Sequence, residues 1–379
     1  MKGILLCLWE RYHKMKGGSE MTEKKITMMT YIREEQSVLG EIVRNYRENT
    51  KPIRGTEWLI LATGSSINAA YSAKYYIESI CDVYISIEEP FKFEYYEKLR
   101  PTVDVVIGVS QSGESTSTIE ALKHIRNESS DIHLMALTNN MNSEIVKVVD
   151  EVIEMQSGEE KIGYVTKGFS VTILKLMLLG LRTAAEKNQI TVEKENKELL
   201  DFSSAIKSID NIINKTEIFF NEWRTELVKA SRYTTLCCGS AIGTAFEMQT
   251  KFSETVRIPS QGMDIEVFMH GPYFEVNKGH QLFYIETNSP VNDRLLRLKE
   301  YEKKYVNNYF TITLNESTDK RTIGLNLNVD EFKAPLFTII PFQVLAHHIA
   351  EDLGNDLAKR IFTDFGVEMR SKTKPGDYI

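Results

Sequence analysis

The chain has few of the residues that mark secreted, zinc-binding or nucleic-acid-binding proteins. Only four cysteines (Cys7, Cys81, Cys237 and Cys238) occur among 379 residues, and none forms a CxxC pair, which excludes a disulfide framework or a cysteine-bound zinc. The 53 acidic residues outnumber the 46 lysines and arginines, and a formal charge of −7 argues against a nucleic-acid surface. We therefore predict a cytoplasmic protein in a reducing compartment, with no nucleic-acid partner.

The sequence also has no apolar run that is long enough to cross a membrane. The run 4–9 is shorter than the apolar part of a signal peptide. The run 171–181 contains Lys175 and is too short to span a bilayer. We expect no membrane contact, and we expect residues 1–28 to be a disordered extension. Three methionines are candidate start residues: Met21, Met28 and Met29.

The common nucleotide and metal motifs are missing as well. No GxGxxG follows a strand and no HExxH occurs; Gly163 and Gly168 have the P-loop interval, but Phe169 replaces its lysine. His347 and Glu351 have the i,i+4 spacing of a metal pair, although a packed or solvated helix face explains them better. We predict neither a metal nor an organic cofactor.

Short apolar runs alternate with helical patterns from Trp58 onward. A helix is predicted from Ser65 to about Ser79, and others begin near Ser115 and Ser143, whose hydroxyls suit N-capping. Strands are predicted at 59–62, 83–87, 103–109 and 133–137. This alternation predicts a parallel, doubly wound sheet with helices on both faces.

The same pattern then begins a second time. Gly239 follows an apolar run as Gly64 does, at an offset of 175 residues (239 minus 64), and three further identities share that offset. Later strands are predicted at 281–285 and 309–314, with helices at 294–305 and 336–353. We predict two copies of one α/β fold, at residues 29–195 and 200–355, separated by the polar segment 188–201 and followed by a tail, 356–379.

A serine-rich loop, VSQSGEST, leaves the predicted strand that ends at Val109 and enters a helix. Hydroxyls and free backbone N–H groups converge there, at the strand end where open α/β sheets bind ligands, which predicts an anion site. Ser65 and Ser66 follow another strand and would close this site from the side. The loop has no lysine or arginine, and a capped, serine-rich turn remains the alternative interpretation.

The second copy carries acid–base groups instead of hydroxyls. Glu247, Lys251 and Glu254 are four and three residues apart, so they share one helix face. An exposed face of salt bridges is the alternative interpretation. His270 precedes Gly271 and Pro272, and a bend at that point would present its imidazole rather than bury it.

Together these segments resemble the sugar isomerase (SIS) fold, and especially the isomerase half of glucosamine-6-phosphate synthase and its deglycase relatives. The resemblance covers residues 30–379 approximately, in the family's order and spacing. The SQSGE loop is specific for the fold, and the Glu–His pair is specific for its catalytic branch. The segments that carry the resemblance are 62–66, 110–115, 166–169, 245–254 and 270–272.

The resemblance implies two tandem doubly wound SIS domains, with parallel sheets flanked by helices, and a role for each motif. Glu254 would move the proton between C1 and C2 with support from Lys251, and His270 would open the sugar ring from the neighbouring subunit of a homodimer. The tail would close the active site and provide an imine-forming lysine, Lys372 in preference to Lys374. The sugar phosphate would be held by Ser66, Ser110, Gln111, Ser112 and Ser115, with Ser65 and Ser143 nearby.

Three departures from the family pattern bear on function. No counterpart of the synthase's glutaminase half precedes Met29, so we expect no ammonia source in this sequence. The residues before His270 are Glu-Val-Phe-Met, where the family has an acidic and a basic residue. The tail around Lys372 also differs from that of the synthase.

The sequence therefore predicts an enzyme for a 6-phosphorylated ketosamine, with deglycase activity as the leading hypothesis. One alternative is an aminosugar-phosphate isomerase or deaminase that uses the same residues. The other is a non-catalytic phosphosugar sensor, which would keep the serine loop without needing Glu254 or His270. The presence of both residues favours an enzyme, and the sequence leaves the released amine open.

Overall fold

The computed structural model describes residues 26–373, which form two parallel β-sheets flanked by α-helices. The strands are β1 (Glu57–Ala62), β2 (Tyr84–Glu88), β3 (Val105–Val109), β4 (His133–Thr138), β5 (Glu151–Glu154), β6 (Arg232–Cys237), β7 (Ser260–Asp264), β8 (His280–Glu286), β9 (Asn308–Thr313) and β10 (Thr322–Gly324). The α-helices are α1 (Met28–Arg44), α2 (Tyr46–Asn49), α3 (Ser65–Ile80), α4 (Pro90–Tyr96), α5 (Thr116–Glu128), α6 (Lys167–Glu186), α7 (Val192–Ile206), α8 (Ile209–Val228), α9 (Ile242–Thr255), α10 (Ile265–Met269), α11 (Asn292–Glu302), α12 (Pro335–Asp352) and α13 (Phe365–Glu368). Short 3₁₀ helices lie at Glu144–Val148, Gly239–Ala241 and Pro272–Glu275.

The two sheets share one topology. The first has the strand order β2-β1-β3-β4-β5, and the second, seen from its other edge, has the order β7-β6-β8-β9-β10. Neighbouring strands are parallel in both sheets. Each half therefore has the doubly wound order 2-1-3-4-5, which confirms the predicted repeat of one α/β fold.

The glycine that follows the first strand of each half has the same backbone conformation. Gly64 has φ +59° and Gly239 has φ +57°, in the left-handed region that side chains disfavour. Gly64 directly precedes α3, whereas a short 3₁₀ helix, Gly239–Ala241, lies between β6 and α9, so α3 and α9 occupy the same place in the two halves. They pack against each other where the two halves meet.

Most predicted elements are confirmed within a few residues, and the misses have local causes. The short strands β5, β7 and β10 were not predicted, because none contains a long apolar run. The predicted helix at Ser143 is a five-residue 3₁₀ helix. Ser115 and Ser143 occupy the N-cap position, as predicted, but neither hydroxyl makes a capping hydrogen bond: that of Ser143 donates to the Asn140 carbonyl, and that of Ser115 accepts from Thr118.

The polar segment at 188–201 is mostly the first part of α7 rather than an exposed linker. Its Glu195 is buried and accepts hydrogen bonds from Tyr46 and Arg47, and its buried Glu198 forms a 2.7 Å ion pair with Lys333. Charged partners from distant segments thus allow this polar sequence to pack. The domain boundary near residues 195–200 stays a prediction.

Two predictions concern the start of the chain and its cysteines. Residues 1–25 of the predicted disordered extension, 1–28, lie outside the described residues, and so does Cys7. Its last residue, Met28, is instead the first residue of α1 and is fully buried. Cys81, Cys237 and Cys238 are buried free thiols, and the lack of a disulfide framework stays a prediction.

Helix α6 lies in the main hydrophobic core, which also contains residues of both sheets. With 20 residues, it is long and apolar enough to cross a membrane by length and composition. The apolar run at 171–181 that was considered in the sequence is therefore only part of a longer apolar helix. In the fold, 89% of the most apolar 18-residue stretch of this helix is buried. The helix packs against α1, α3 and α12. This burial is typical of a central core helix. The absence of membrane contact stays a prediction.

One carboxyl group in the core has no hydrogen-bond partner among residues 26–373. Glu35 on α1 is fully buried, and its carboxylate oxygens make no hydrogen bond of good geometry in this part of the chain, although the side chains of Ser170 and Gln343 lie near enough to offset part of the effect of burial on its pKa. Burial raises the pKa of Glu35 from its ordinary value of 4.5 to about 8. The folded chain therefore keeps a proton on Glu35 at pH 7, where the unfolded chain has lost it.

We expect Glu35→Gln to stabilise the protein, with a larger gain at pH 8 than at pH 5. Between pH 4.5 and 8 the folded state binds more protons than the unfolded state, so stability falls as the pH rises. One pKa unit is worth about 1.4 kcal/mol, so the gain at pH 7 should be about 3 kcal/mol.

Urea denaturation of the wild type and Glu35→Gln at pH 5 and pH 8 measures this effect. Glu41→Gln, an exposed change on the same helix, is the control. The same pH dependence in wild type and Glu35→Gln would show that Glu35 titrates normally.

Candidate active site

The serine loop, defined here as residues 110–115, connects β3 to α5. The Ser110 N–H donates to the carbonyl of Leu137 on β4, and the Gly113 N–H donates to the Ser110 carbonyl, both at 3.0 Å. Gly113 has φ +70°, and a Cβ added there would lie 1.9 Å from the Ser143 hydroxyl oxygen. Ser143 thus packs against the loop, and its own hydroxyl donates to the Asn140 carbonyl; its predicted place near the phosphate stays a prediction.

Polar groups of this loop converge at the N-terminus of α5. The Ser110 hydroxyl accepts from the Gly113 N–H at 3.2 Å, and the Ser112 hydroxyl accepts from the Glu114 N–H at 3.3 Å. The buried Thr116 hydroxyl has no hydrogen-bond partner within the described part of the chain. Hydroxyls and backbone N–H groups at the start of a 13-residue helix form an arrangement that suits an anion.

The C-terminal tail contacts the serine loop directly. An antiparallel bridge joins Ser115 to Lys372, and the Thr373 N–H donates to the Glu114 carbonyl at 3.1 Å. This pairing brings the Lys372 ammonium to the Ser112 hydroxyl, at 2.8 Å. A loop without basic residues of its own therefore receives a cation from the tail. Lys374, the other candidate lysine, lies outside the described residues.

The side chain of Gln111 is held on the other side of the loop. Its Nε2 donates to the Glu160 carboxylate at 3.1 Å. The same carboxylate accepts from the backbone N–H groups of Thr166, Lys167 and Gly168 at the start of α6. Glu160 was not singled out from the sequence, and its contact leaves phosphate binding by the Gln111 side chain a prediction.

The serines that follow β1 lie beside this loop, because β1 and β3 are neighbours and Ala62 pairs with Val109. Ser65 connects the two halves of the molecule: its hydroxyl donates to the Glu247 carboxylate on α9 at 2.9 Å. Ser66 is half-buried and makes no side-chain hydrogen bond within residues 26–373. Ser66 remains the better placed of the two for an added ligand.

The three charged residues of α9 form a connected, largely buried cluster. Lys251 is 1% exposed and lies 3.3 Å from Glu247 and 3.1 Å from Glu254. Burial alone would lower the pKa of Lys251, but the carboxylates of Glu254 and Glu247 outweigh it and raise that pKa. Burial raises the pKa of Glu247 against the effect of Lys251. Only Glu254, at 41% exposure, is open to solvent, so the shared face is not a surface of salt bridges.

Glu254 and Lys372 line one cavity of about 970 Å³ between α9 and the tail. The carboxylate predicted to move a proton and the lysine predicted to form an imine therefore face the same space. Lys372 also connects this space to the serine loop through Ser112. The other lining residues are Gly163, Tyr164, Ser253, Arg257, Ile258, Pro259, Arg360, Ile361, Phe362, Phe365, Gly366 and Ser371.

His270 lies apart from these groups within one chain. It follows α10, its side chain is 80% exposed, and its Nε2 lies 3.8 Å from the Glu266 carboxylate. It does not line the cavity that contains Glu254 and Lys372. A catalytic role for His270 would therefore require a second chain, and the predicted role stays a prediction.

The histidines of α12 are engaged in packing contacts. The His348 ring stacks on Phe220 at 5.0 Å, and burial lowers the pKa of His347 to about 4. Ligand atoms of His347, His348 and Glu351 lie within 4.8 Å of one another, a spacing that alone would suit a metal ion. The packing interpretation remains our prediction for this group.

The first half of the chain, which contains the serine loop, matches a known family of α/β domains. The family model described as SIS domain matches residues 57–182. The chain therefore carries an SIS domain, which confirms the resemblance, and its second half repeats the strand order of the first.

The similarity to curated proteins covers about half of each of them. Glutamine–fructose-6-phosphate aminotransferase [isomerizing] from Neisseria meningitidis serogroup A is 26% identical over 329 residues, which cover 84% of this chain and 53% of that protein. The chain thus spans about half the length of the curated relatives it matches.

Two solved structures share the fold. One, from Clostridium difficile 630, is provisionally described as a phosphosugar isomerase; it has a TM-score of 0.82 and 25% identity, and the match covers 92% of this chain and 99% of that one. The other is the C-terminal domain of glucosamine-fructose-6-phosphate aminotransferase from Francisella tularensis, with a TM-score of 0.78, 21% identity and coverage of 89% and 99%. These similarities support a function of the phosphosugar-isomerase type.

Proposed function

We propose that this protein is an enzyme that converts a 6-phosphorylated ketosamine and water into a hexose 6-phosphate and a free amine. The observation that carries the proposal is the position of Lys372, which contacts the serine loop and lines one cavity with Glu254. An anion site, a lysine and a carboxylate are the groups that this reaction requires.

The phosphate would bind at the serine loop. Ser110, Ser112 and Ser115 would supply hydroxyls, and the start of α5 would supply backbone N–H groups, while Lys372, at the edge of the loop, would be left for the reacting carbons. Because the phosphate is remote from the reacting carbons, its binding energy would serve to orient them. Carbons C1 and C2 would then lie between Lys372 and Glu254.

The reaction is a proton shift followed by hydrolysis. Glu254 would remove a proton from C1, and the electron pair would move toward the C2 carbonyl, whose oxygen would take a proton from the Lys372 ammonium to give an enaminol. Return of the proton to C2 leaves an imine between C1 and the amine, and water hydrolyses that imine. The Lys251 ammonium, 3.1 Å from Glu254, would hold this carboxylate in position.

An aminosugar-phosphate isomerase or deaminase is the second candidate, because the similarity to isomerase domains favours it and the same proton shift would serve it. A panel of fructose 6-phosphate, glucosamine 6-phosphate and several ketosamine 6-phosphates separates the candidates. Release of amine and hexose 6-phosphate from the ketosamines is the expected result. Ammonia release from glucosamine 6-phosphate alone, or sugar isomerisation alone, would identify the second candidate. Binding without turnover would identify a sensor.

We expect Ser112→Ala to weaken the binding of fructose 6-phosphate by about 1–2 kcal/mol, because one hydrogen bond to the phosphate is lost. The free energy of unfolding should be nearly unchanged, since Ser112 lies on a partly exposed loop. Isothermal titration calorimetry gives the affinity, with Ser130→Ala, an exposed change beyond the far end of α5, as the control. Unchanged affinity in both Ser112→Ala and Ser110→Ala would show that the phosphate binds elsewhere.

A further inference from the structure

The cavity beside Glu254 contains two guanidinium groups that the proposed reaction does not use. Arg257 and Arg360 both line it. Within residues 26–373 neither forms an ion pair with a carboxylate; Arg257 has only long contacts of 3.4 Å, to the Tyr164 hydroxyl and the Glu254 carbonyl. Arg360 lies against Gly163, where an added Cβ would be 2.8 Å from its Nε. The two arginines thus approach the cavity beside consecutive residues, Gly163 and Tyr164.

The backbone at Arg257 indicates that the fold itself does not require arginine there. Arg257 follows the C-terminal cap of α9, has φ +62°, and donates its N–H to the Phe252 carbonyl at 2.8 Å. Glycine is the favoured residue at this position of a helix end, because it adopts a left-handed conformation without strain. Replacing Arg257 with glycine should therefore remove the guanidinium group without straining the backbone.

The order of groups around the cavity indicates which part of a substrate would reach these arginines. Lys372 contacts the serine loop, and Glu254 lines the same cavity next to Arg257, whose Nε donates to the Glu254 carbonyl. A sugar held by its phosphate at the loop, with C1 at Glu254, would direct the amine half toward Arg257 and Arg360. The surrounding wall is apolar, formed by Ile258, Pro259, Ile361, Phe362 and Phe365.

We infer that Arg257 and Arg360 bind a carboxylate on the amine half of the substrate, so that the substrate is the ketosamine 6-phosphate of an amino acid. This inference rests on the proposed function and specifies its substrate class. A guanidinium presents a planar pair of N–H donors that matches a carboxylate, and a group with no competing ion pair is available for one. The apolar wall would contact the carbon chain between the nitrogen and the carboxylate.

The test compares matched ketosamine 6-phosphates made from 4-aminobutanoate and from its amide, and from glycine and its amide. One of the two carboxylate compounds should fit the cavity better than the other. For that compound, the kcat/KM of the wild-type protein should be about 10- to 100-fold higher than for its amide. Arg257→Gly and Arg360→Gln should each reduce that preference about tenfold, through a higher KM for the carboxylate compound. Arg370→Gly is the matched control: Arg370 is exposed, has φ +49°, and does not line the cavity.

Three results would overturn the inference while leaving the proposed function intact. The first is that wild-type protein turns over ketosamine 6-phosphates without preferring the carboxylate compounds. The second is that Arg257→Gly lowers kcat/KM equally for the carboxylate compound and its amide. The third is that Arg370→Gly reduces the carboxylate preference as much as Arg257→Gly does. The second result would mean that Arg257 acts through Glu254, and the third that net charge alone matters. If no sugar phosphate in the set binds or reacts, the proposed function fails, and the inference fails with it.

Discussion

Glu254→Gln protein should bind fructose 6-phosphate with nearly wild-type affinity and turn over its substrate about 10² to 10⁴ times more slowly. Glutamine keeps the volume of glutamate and can still accept a hydrogen bond from Lys251, but it cannot remove a proton. The phosphate would bind at the serine loop, which the substitution at Glu254 leaves unaltered. Calorimetry for binding and initial rates at saturating substrate measure the two effects separately.

Glu247→Gln is the matched control for this variant, because it makes the same change two helical turns away on the same helix face. Glu247 is fully buried and accepts hydrogen bonds from Ser65 and Asn68, which connect α9 to α3. Its replacement should lower the free energy of unfolding by about 1–3 kcal/mol and largely spare turnover of the folded protein. Full activity in Glu254→Gln together with inactive, folded Glu247→Gln would assign the proton transfer to Glu247.

The strands and loops that were predictable are those specified by local sequence. β1, β3 and β4 contain apolar runs, and the serine loop follows directly from the end of β3. β10 has only three residues, Thr322–Gly324, and exists because it pairs with β9. A strand that depends on its neighbour leaves little local signal in the sequence.

The site was harder to predict than the fold, because its contacts join distant segments. Lys372 and Ser112 are 260 residues apart, and no spacing rule relates them; only the family resemblance pointed to the tail. Arg257 and Arg360 were missed for another reason. Isolated arginines near a helix end or in a tail are typical of exposed surface, and their shared cavity forms only when the tail folds against α9.

Exposed apolar side chains flank His270, the one predicted catalytic residue that lies away from the cavity. Val267 is 59% exposed and Phe274 is 80% exposed. On the tail beside the cavity, Phe362 and Phe365 are also largely exposed. Apolar side chains of this size commonly mark surfaces that another protein covers. These surfaces support our proposal that two copies of the chain form a dimer in which His270 of one copy completes the site of the other.

Mixing inactive Glu254→Gln protein with inactive His270→Ala protein should therefore restore about a quarter of the wild-type activity. In a hybrid dimer one site would carry both changes and the other site neither, and random exchange makes half of the dimers hybrids. A mixture of Glu254→Gln with Lys372→Met is the control, because these residues line the same cavity of one chain. Each site of that hybrid would carry one change, so no activity should return. If the His270 mixture also stays inactive after subunit exchange has been demonstrated, His270 does not act on the partner's site and the shared-site proposal is wrong.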